Sequence, residues 1–190
     1  MKNIKQIAGV DEVGRGCLAG PVVSAAVIFK KGAKLKGIKD SKKMSFLQRK
    51  KISKEIKKNS YFSFGIASVK EIEKLNILQA SLLSMKRAIL KLSKKPDLIL
   101  VDGKFIPKVS FLCKAIIKGD EKVKCISAAS ILAKVFRDDL MIKMSKKFNH
   151  YSWNKNFGYG TKEHLNGLKK YGLTSIHRKK FKPIHNMLLK

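Results

Sequence analysis

A chain of 190 residues with 44% hydrophobic side chains can bury a sizeable core in one domain, which excludes wholesale disorder. No apolar run is long enough to span a bilayer and no signal-peptide core follows Met1, so a soluble cytoplasmic protein is expected. The net charge is +30, from 43 Lys and Arg against 13 Asp and Glu, a balance that favours polyanions. Only Arg15, Arg49, Arg87, Arg137 and Arg178 are arginines, however, and a solvated lysine coat would give the same sign.

In chain order, residues 4–10 have the pattern of a strand running into two adjacent carboxylates, Asp11 and Glu12. Neighbouring residues on a strand point to opposite faces. Both acids therefore converge only if the strand ends there or if they share a partner. A carboxylate in apolar surroundings is costly until something neutralises it, and a divalent metal or Arg15 could each do so. Gly14, Gly16, Gly20 and Pro21 mark a turn, which brings Gly14-Arg15-Gly16 close to the acids. Residues 22–29 form an apolar, β-branched second strand. A charged connector, 30–43, leads to Ser45, an N-cap for a helix carrying Leu47, Ile52 and Ile56 on one side.

Residues 61–69 alternate as a third strand. Two helices follow, 70–75 and 76–92, and Pro96-Asp97 stops the second. Residues 98–101 are wholly apolar, as in a buried parallel strand, and run into Asp102-Gly103-Lys104. A fifth strand, 111–117, is terminated by Lys118-Gly119-Asp120. A long helix covers 123–148, with a small and aliphatic first half suited to packing on a sheet. Residues 149–160 read as a polar, aromatic loop, Thr161 caps a helix to about Tyr171, and the tail from His177 is basic and weakly patterned. Cys17, Cys113 and Cys125 have no CxxC spacing, which argues against a disulfide framework or structural zinc and makes them small buried hydrophobes.

Asp11-Glu12, Asp102 and Asp120 thus each follow an apolar strand, and sites in open α/β sheets form at the carboxyl ends of strands. Acids gathered there would repel and raise one another's pKa. An oxygen-only set suits Mg2+ or Mn2+, which take carboxylates, waters and substrate phosphates. A paired-metal site would support in-line displacement at phosphorus. Any one acid could instead be a turn former beside its glycine, but that explanation fits all of them together poorly.

Several segments carry a resemblance. They are Gly-Val-Asp-Glu-Val-Gly-Arg-Gly (9–16), Leu-Ala-Gly-Pro-Val-Val (18–23), Asp-Ser-Lys-Lys (40–43), Leu-Asn-Ile-Leu-Gln-Ala (75–80) and Val-Asp-Gly (101–103). Lys-Gly-Asp (118–120), Ser-Ala-Ala-Ser-Ile-Leu-Ala-Lys-Val-Phe-Arg-Asp (127–138) and Gly-Tyr-Gly-Thr-Lys-Glu-His (158–164) complete the set. In this order they resemble the ribonuclease HII (type 2 ribonuclease H) family. The resemblance implies an α/β, ribonuclease H-like fold in a single domain over 1–190. Its mixed five-stranded central sheet would be flanked by helices, with a small helical segment from about residue 149.

The implied activity is endonucleolytic cleavage of RNA in RNA–DNA hybrids and at ribonucleotides embedded in duplex DNA, leaving 5′-phosphate and 3′-hydroxyl ends. By the same resemblance Asp11, Glu12, Asp102 and Asp120 are metal ligands, Gly14-Arg15-Gly16 reads the ribose 2′-hydroxyl, and Tyr159 packs on the neighbouring sugar. Close backbone approach at glycine and recognition of the 2′-hydroxyl suit that division. Tyr159 could equally be a half-buried loop aromatic, and Arg15 could pair with Asp11 or Glu12 while serving the substrate. Ser41, Lys42, Lys43, Asn76 and Gln79 are expected phosphate contacts, with simple N-capping the alternative for Asn76. Lys104 lies next to Asp102, and His164 is expected to cap or pack rather than catalyse.

The sister ribonuclease HIII family usually carries an N-terminal substrate-binding domain and a glutamate as its fourth acid. The short segment before Asp11 and the aspartate at 120 both favour type HII. A basic, non-enzymatic nucleic-acid binder is the competing class, but such a protein has no use for acids where phosphates must sit. With no heptad and no large exposed apolar stripe, a monomer is expected.

Overall fold

The computed structural model describes residues 5–33, 35, 37–38 and 44–189. Its centre is strand β1 (Ile7–Val13) in a five-stranded sheet ordered β3-β2-β1-β4-β5. β2 (Val22–Phe29) and β3 (Ser60–Ala67) extend it antiparallel on one side, and β4 (Leu98–Asp102) and β5 (Cys113–Ile116) extend it parallel on the other. β1 and β2 are joined by the short 14–21 loop, whereas a helix intervenes between antiparallel β2 and β3 and each parallel step needs a crossover. Between β3 and β4 the crossover is helical: α2 (Val69–Leu75) and α3 (Ile77–Leu90).

Both sheet faces are covered. Ala8, Val10, Ala26, Ile28, Ile99 and Val101 pack on α3 through Met85, Ala88 and Ile89. On the other face Ala25 and Val27 meet α1 (Phe46–Lys58) through Ile56, and α5 (Lys124–Lys147) through Ala128, Ile131 and Leu132. α5 packs tightly on the sheet at Gly9, where a Cβ would lie 2.1 Å from the Cys125 carbonyl carbon. The small first half of α5 and a bare Cα on the sheet let the two backbones touch.

A third core lies beyond the sheet. Leu18 and Ala19, from the β1–β2 loop, pack with Met141 of α5, Tyr151, Trp153, Leu168 and Ile184. These residues belong to a 3-10 turn (Asn149–Tyr151), α6 (Trp153–Asn156), α7 (Lys162–Tyr171) and α8 (Ile184–Leu188). Residues 149–160 are thus a compact helical cap and not the expected loop, because Trp153 is fully buried and stacks on Tyr151 at 5.0 Å.

Elsewhere the expected elements are present with shifted ends. Ser45 and Thr161 cap α1 and α7. β5 is shorter than expected because Leu112 and Ile117 are exposed. A four-residue helix, α4 (Gly119–Lys122), stands where the chain was expected only to turn. Of the cysteines, Cys17 and Cys125 are buried as expected, but Cys113 is partly exposed near the sheet edge. Among the described residues, no helix is long and apolar enough to cross a membrane.

Candidate active site

Asp11, Glu12, Asp102 and Asp120 line one cavity of about 410 Å3 at the carboxyl ends of β1 and β4, together with Gly14, Arg15, Gly16, Arg49, Ser130, Lys134 and Tyr159. The strand does not end at the acids, as the pattern suggested. β1 stays paired with β2 as far as Val13↔Val23, but its parallel pairing with β4 stops at Val10↔Val101. The two ladders part there, and the opening between them admits both side chains of the Asp11-Glu12 pair. Asp102 follows Val101 directly, so register sets it beside Asp11. Its Oδ1 accepts the Gly119 N–H at 2.6 Å, which ties the end of β4 to the first turn of α4, where Asp120 is buried.

The electrostatics are those of an acidic site that its neighbouring cations compensate only in part. Burial, then the charges of Glu12 and Asp102, push the Asp11 pKa well up, against hydrogen bonds from Ser130 and the Glu12 N–H. Burial also raises Glu12, with Arg15 opposing. Arg15 Nη1 donates to Glu12 Oε1 at 3.1 Å, the pairing foreseen as one of its roles. Glu12 Oε2 is buried with no hydrogen-bond partner among the described residues. One arginine thus answers part of the charge, and the remaining oxygen-only donor set suits a hard divalent cation. Among the described residues no three His, Cys, Asp or Glu side chains close into a ready-made cage. An open arrangement of this kind suits an ion that keeps waters and shares substrate oxygens.

The loop facing the acids is held by two buried arginines that motif reading did not assign a role. Arg178 donates to the carbonyls of Arg15 (2.8 Å), Gly14 (2.6 Å) and Gly20 (3.0 and 2.8 Å). Arg137 donates to those of Ala19, Pro21 and Phe157 at 2.8–2.9 Å. Both guanidiniums are fully buried. Burial pulls the Arg178 pKa down to about 10, which still leaves it charged at neutral pH. Gly14 has φ +93° and lies against Arg137, so a side chain there would be strained twice over. A Cβ on Gly16 would meet nothing within 4 Å, leaving that stretch open to a close approach.

Tyr159 is 39% exposed and its ring lines the cavity. Burial, then the neighbouring Cys17 thiol, push its pKa up to about 12, so the phenol stays neutral. Its carbonyl faces Nδ1 of His164 at 2.8 Å, and His164 Nε2 lies 3.0 Å from His177 Nε2 and accepts from Trp153 Nε1. His164 therefore packs and positions, as expected of it.

The other expected contacts lie apart. Asn76 caps α3, accepting from the Leu78 and Gln79 N–H groups, and Gln79 lines a separate groove with Leu75, Leu82 and Lys86. Lys104 is exposed and is not among the residues lining the cavity. Ser41, Lys42 and Lys43 fall outside the described residues. Ser130, Lys134 and Arg49 line the cavity without having been singled out. The one signal for the arginines was their rarity: in a chain that uses lysine nearly everywhere, a guanidinium marks a place where several donors are needed at once.

Comparison with known proteins agrees with this architecture. Residues 8–184 match a family model described as ribonuclease HII. The ribonuclease HII of Pelagibacter ubique is 55% identical over 97% of this chain and 100% of its own length. That of Wolbachia pipientis wMel is 51% identical over 96% and 92%. Among solved structures, ribonuclease H2 from Pyrococcus horikoshii superposes with a TM-score of 0.81 at 27% identity, covering 96% of this chain and 97% of that one. With near-complete coverage in sequence and in fold, this chain belongs to the ribonuclease HII family, nucleases that cleave the RNA of RNA–DNA hybrids.

Proposed function

We propose that the chain is a metal-dependent endonuclease that cuts the RNA strand of hybrids and also cuts at single ribonucleotides within duplex DNA, leaving 5′-phosphate and 3′-hydroxyl ends. The observation that carries this reading is the meeting of four acids, the Gly14–Gly16 loop and Tyr159 on one cavity. Asp11, Glu12, Asp102 and Asp120 would hold Mg2+ or Mn2+, two ions during catalysis. Bound there, such ions would supply an activated water and neutralise charge on the leaving oxygen.

The protein's own groups do the rest. Asp11 and Glu12 sit on a ladder that fixes their separation, and Asp102 is oriented by the Gly119 N–H. The Gly14–Gly16 backbone, with its carbonyls turned onto Arg178, would approach the ribose closely enough to sense its 2′-hydroxyl. The Tyr159 ring would lie on the adjacent sugar and set the strand in register. A basic binder without activity would have no reason to bury these acids at the face that phosphates must reach.

The test uses a DNA duplex with one ribonucleotide beside an all-DNA control, each with magnesium, manganese or chelator. A cut at the ribonucleotide in either metal alone, and none in the control, is the expected result. No metal-dependent cut there would overturn the assignment.

A further inference from the structure

The cavity has a second wall that the acids do not explain. Arg49 of α1 and Lys134 of α5 line it together with the four carboxylates. Lys134 pairs with none of those carboxylates among the described ion pairs. Its Nζ donates instead to Asp138 Oδ1 at 2.9 Å, one helical turn on. The same Nζ stands 4.8 Å from the centre of the Phe157 ring and 5.7 Å from that of Tyr159. The ammonium is thus fixed between a carboxylate and two aromatic faces, with one side toward the cavity.

Asp138 is the unusual member. It is fully buried, and its Oδ2 has no hydrogen-bond partner among the described residues. Burial raises its pKa, and Lys134, Arg49 and Arg137 act in the opposite direction. A buried carboxylate near three cations is an expensive arrangement where stability alone is wanted, since apolar residues of similar volume often do as well. Two of those cations open onto the cavity, on the side where Tyr159 lies. Cations held at an acid-lined cleft are suited to an anion that arrives with the substrate, and a nucleic-acid strand brings phosphates spaced along its backbone.

We propose that Arg49 and Lys134 form a subsite for a backbone phosphate on the Tyr159 side of the cleaved bond, with Asp138 as the buried positioning residue that holds Lys134 and whose charge also faces Arg49. Arg49 supplies a planar fork and Lys134 a point charge, a combination suited to the two free oxygens of a phosphodiester. The subsite rests on the cleavage reading above, because it assumes that a strand enters this cavity. Its role is to place the strand, while the four acids act on the bond.

A set of duplexes, each with one ribonucleotide and one neutral methylphosphonate linkage moved stepwise along the cleaved strand, tests this. In the unaltered protein, one linkage near the ribonucleotide should slow cleavage about tenfold, the loss of one charged hydrogen bond. Lys134→Met and Arg49→Met should each be slower on the all-phosphate duplex and lose most of the sensitivity to that same linkage. Asp138→Asn should lose it too while retaining the unaltered circular dichroism spectrum, a pattern that simple loosening of the fold would not produce. Variants that remain as sensitive as the unaltered protein at every linkage would overturn the subsite while leaving the nuclease assignment standing. If the unaltered protein does not cut the all-phosphate duplex, both readings fail together.

Discussion

The carboxylates and the loop that faces them share one cavity but are held by different means. Asp11 and Glu12 ride on a strand paired to β2 through Val13, and Asp102 ends a neighbouring strand in fixed register. Their placement follows from backbone ladders in the middle of a buried sheet. Residues 14–20 lie outside the sheet's ladders. Their carbonyls are gathered by Arg178 and Arg137, from α5 and the C-terminal cap, and a single bridge joins Ala19 to His177. The half proposed to do the chemistry is therefore secured by main chain, and the half proposed to select the substrate by side chains remote in sequence. Damage to the second half should change which strands are cut well before it changes whether anything is cut.

The largest expected effect breaks the first half. Asp11→Asn or Asp102→Asn should reduce cleavage to background while duplex binding, followed by gel shift, survives; cleavage at normal metal concentrations in either variant would refute the site. The same Asp11→Asn change should stabilise the metal-free protein. Its carboxyl has a raised folded pKa, so the native state is favoured below the unfolded value of 3.8 and loses ground as pH rises through the folded value. At neutral pH the amide relieves that cost, and Tm should rise by about 2–4 °C for each kcal/mol relieved.

Next comes the arginine that holds the loop. Arg178→Met leaves the Gly14, Arg15 and Gly20 carbonyls without their donor, at a cost of about 1–3 kcal/mol for each carbonyl left unsatisfied. Tm should fall by roughly 10 °C, and the rate ratio between ribonucleotide-containing duplex and long hybrid should change. Lysine should rescue little, because one ammonium cannot replace the fork. An Arg178→Lys protein with unchanged Tm and rate ratio would dissolve the contrast between the two halves.

A smaller effect tests the buried histidine pair behind Tyr159. Burial, then His164, lowers the His177 pKa from 6.5 to about 4, and burial lowers His164 as well. A depressed histidine gives stability that is present above pH 6.5 and lost as pH falls through the folded value, here up to about 3 kcal/mol by pH 4. Tm measured across that window should fall more steeply for the unaltered protein than for His177→Asn. Equal slopes would show that the pair does not titrate on unfolding. The smallest effect is at Tyr159, where alanine should slow cleavage at single ribonucleotides about tenfold, the worth of one stacked ring. Unchanged rates with an intact fold would make it an ordinary loop aromatic.

The uneven legibility of the sequence follows the same division. The run 22–29 is largely apolar and rich in β-branched residues, and it is β2 without a residue's error. Asp102 at the end of a buried parallel strand was visible because the acid interrupts apolar residues locally. That β1 continues past its acids was not visible, since it depends on where β2 stays paired and β4 departs. Arg178 could not be read at all: its partners lie 158 to 164 residues away and are carbonyls, which every residue has. Charged residues are also the ones that composition assigns to the surface. Trp153 was placed in a loop because the short helical turns around it carry no periodicity, and only its burial against Tyr151 reveals the cap.

The bare Cα at Gly9 has a reach beyond its own packing. Asp11 is carried two residues along on β1, while Ser130, Lys134 and Asp138 are carried on α5, the helix that touches the sheet at that glycine. The missing side chain therefore acts as the gauge of the cleft, fixing how far the anionic wall stands from the cationic one. One methyl group at position 9 would lever the helix outward. The protein would then keep every charge it needs and lose the distance between them.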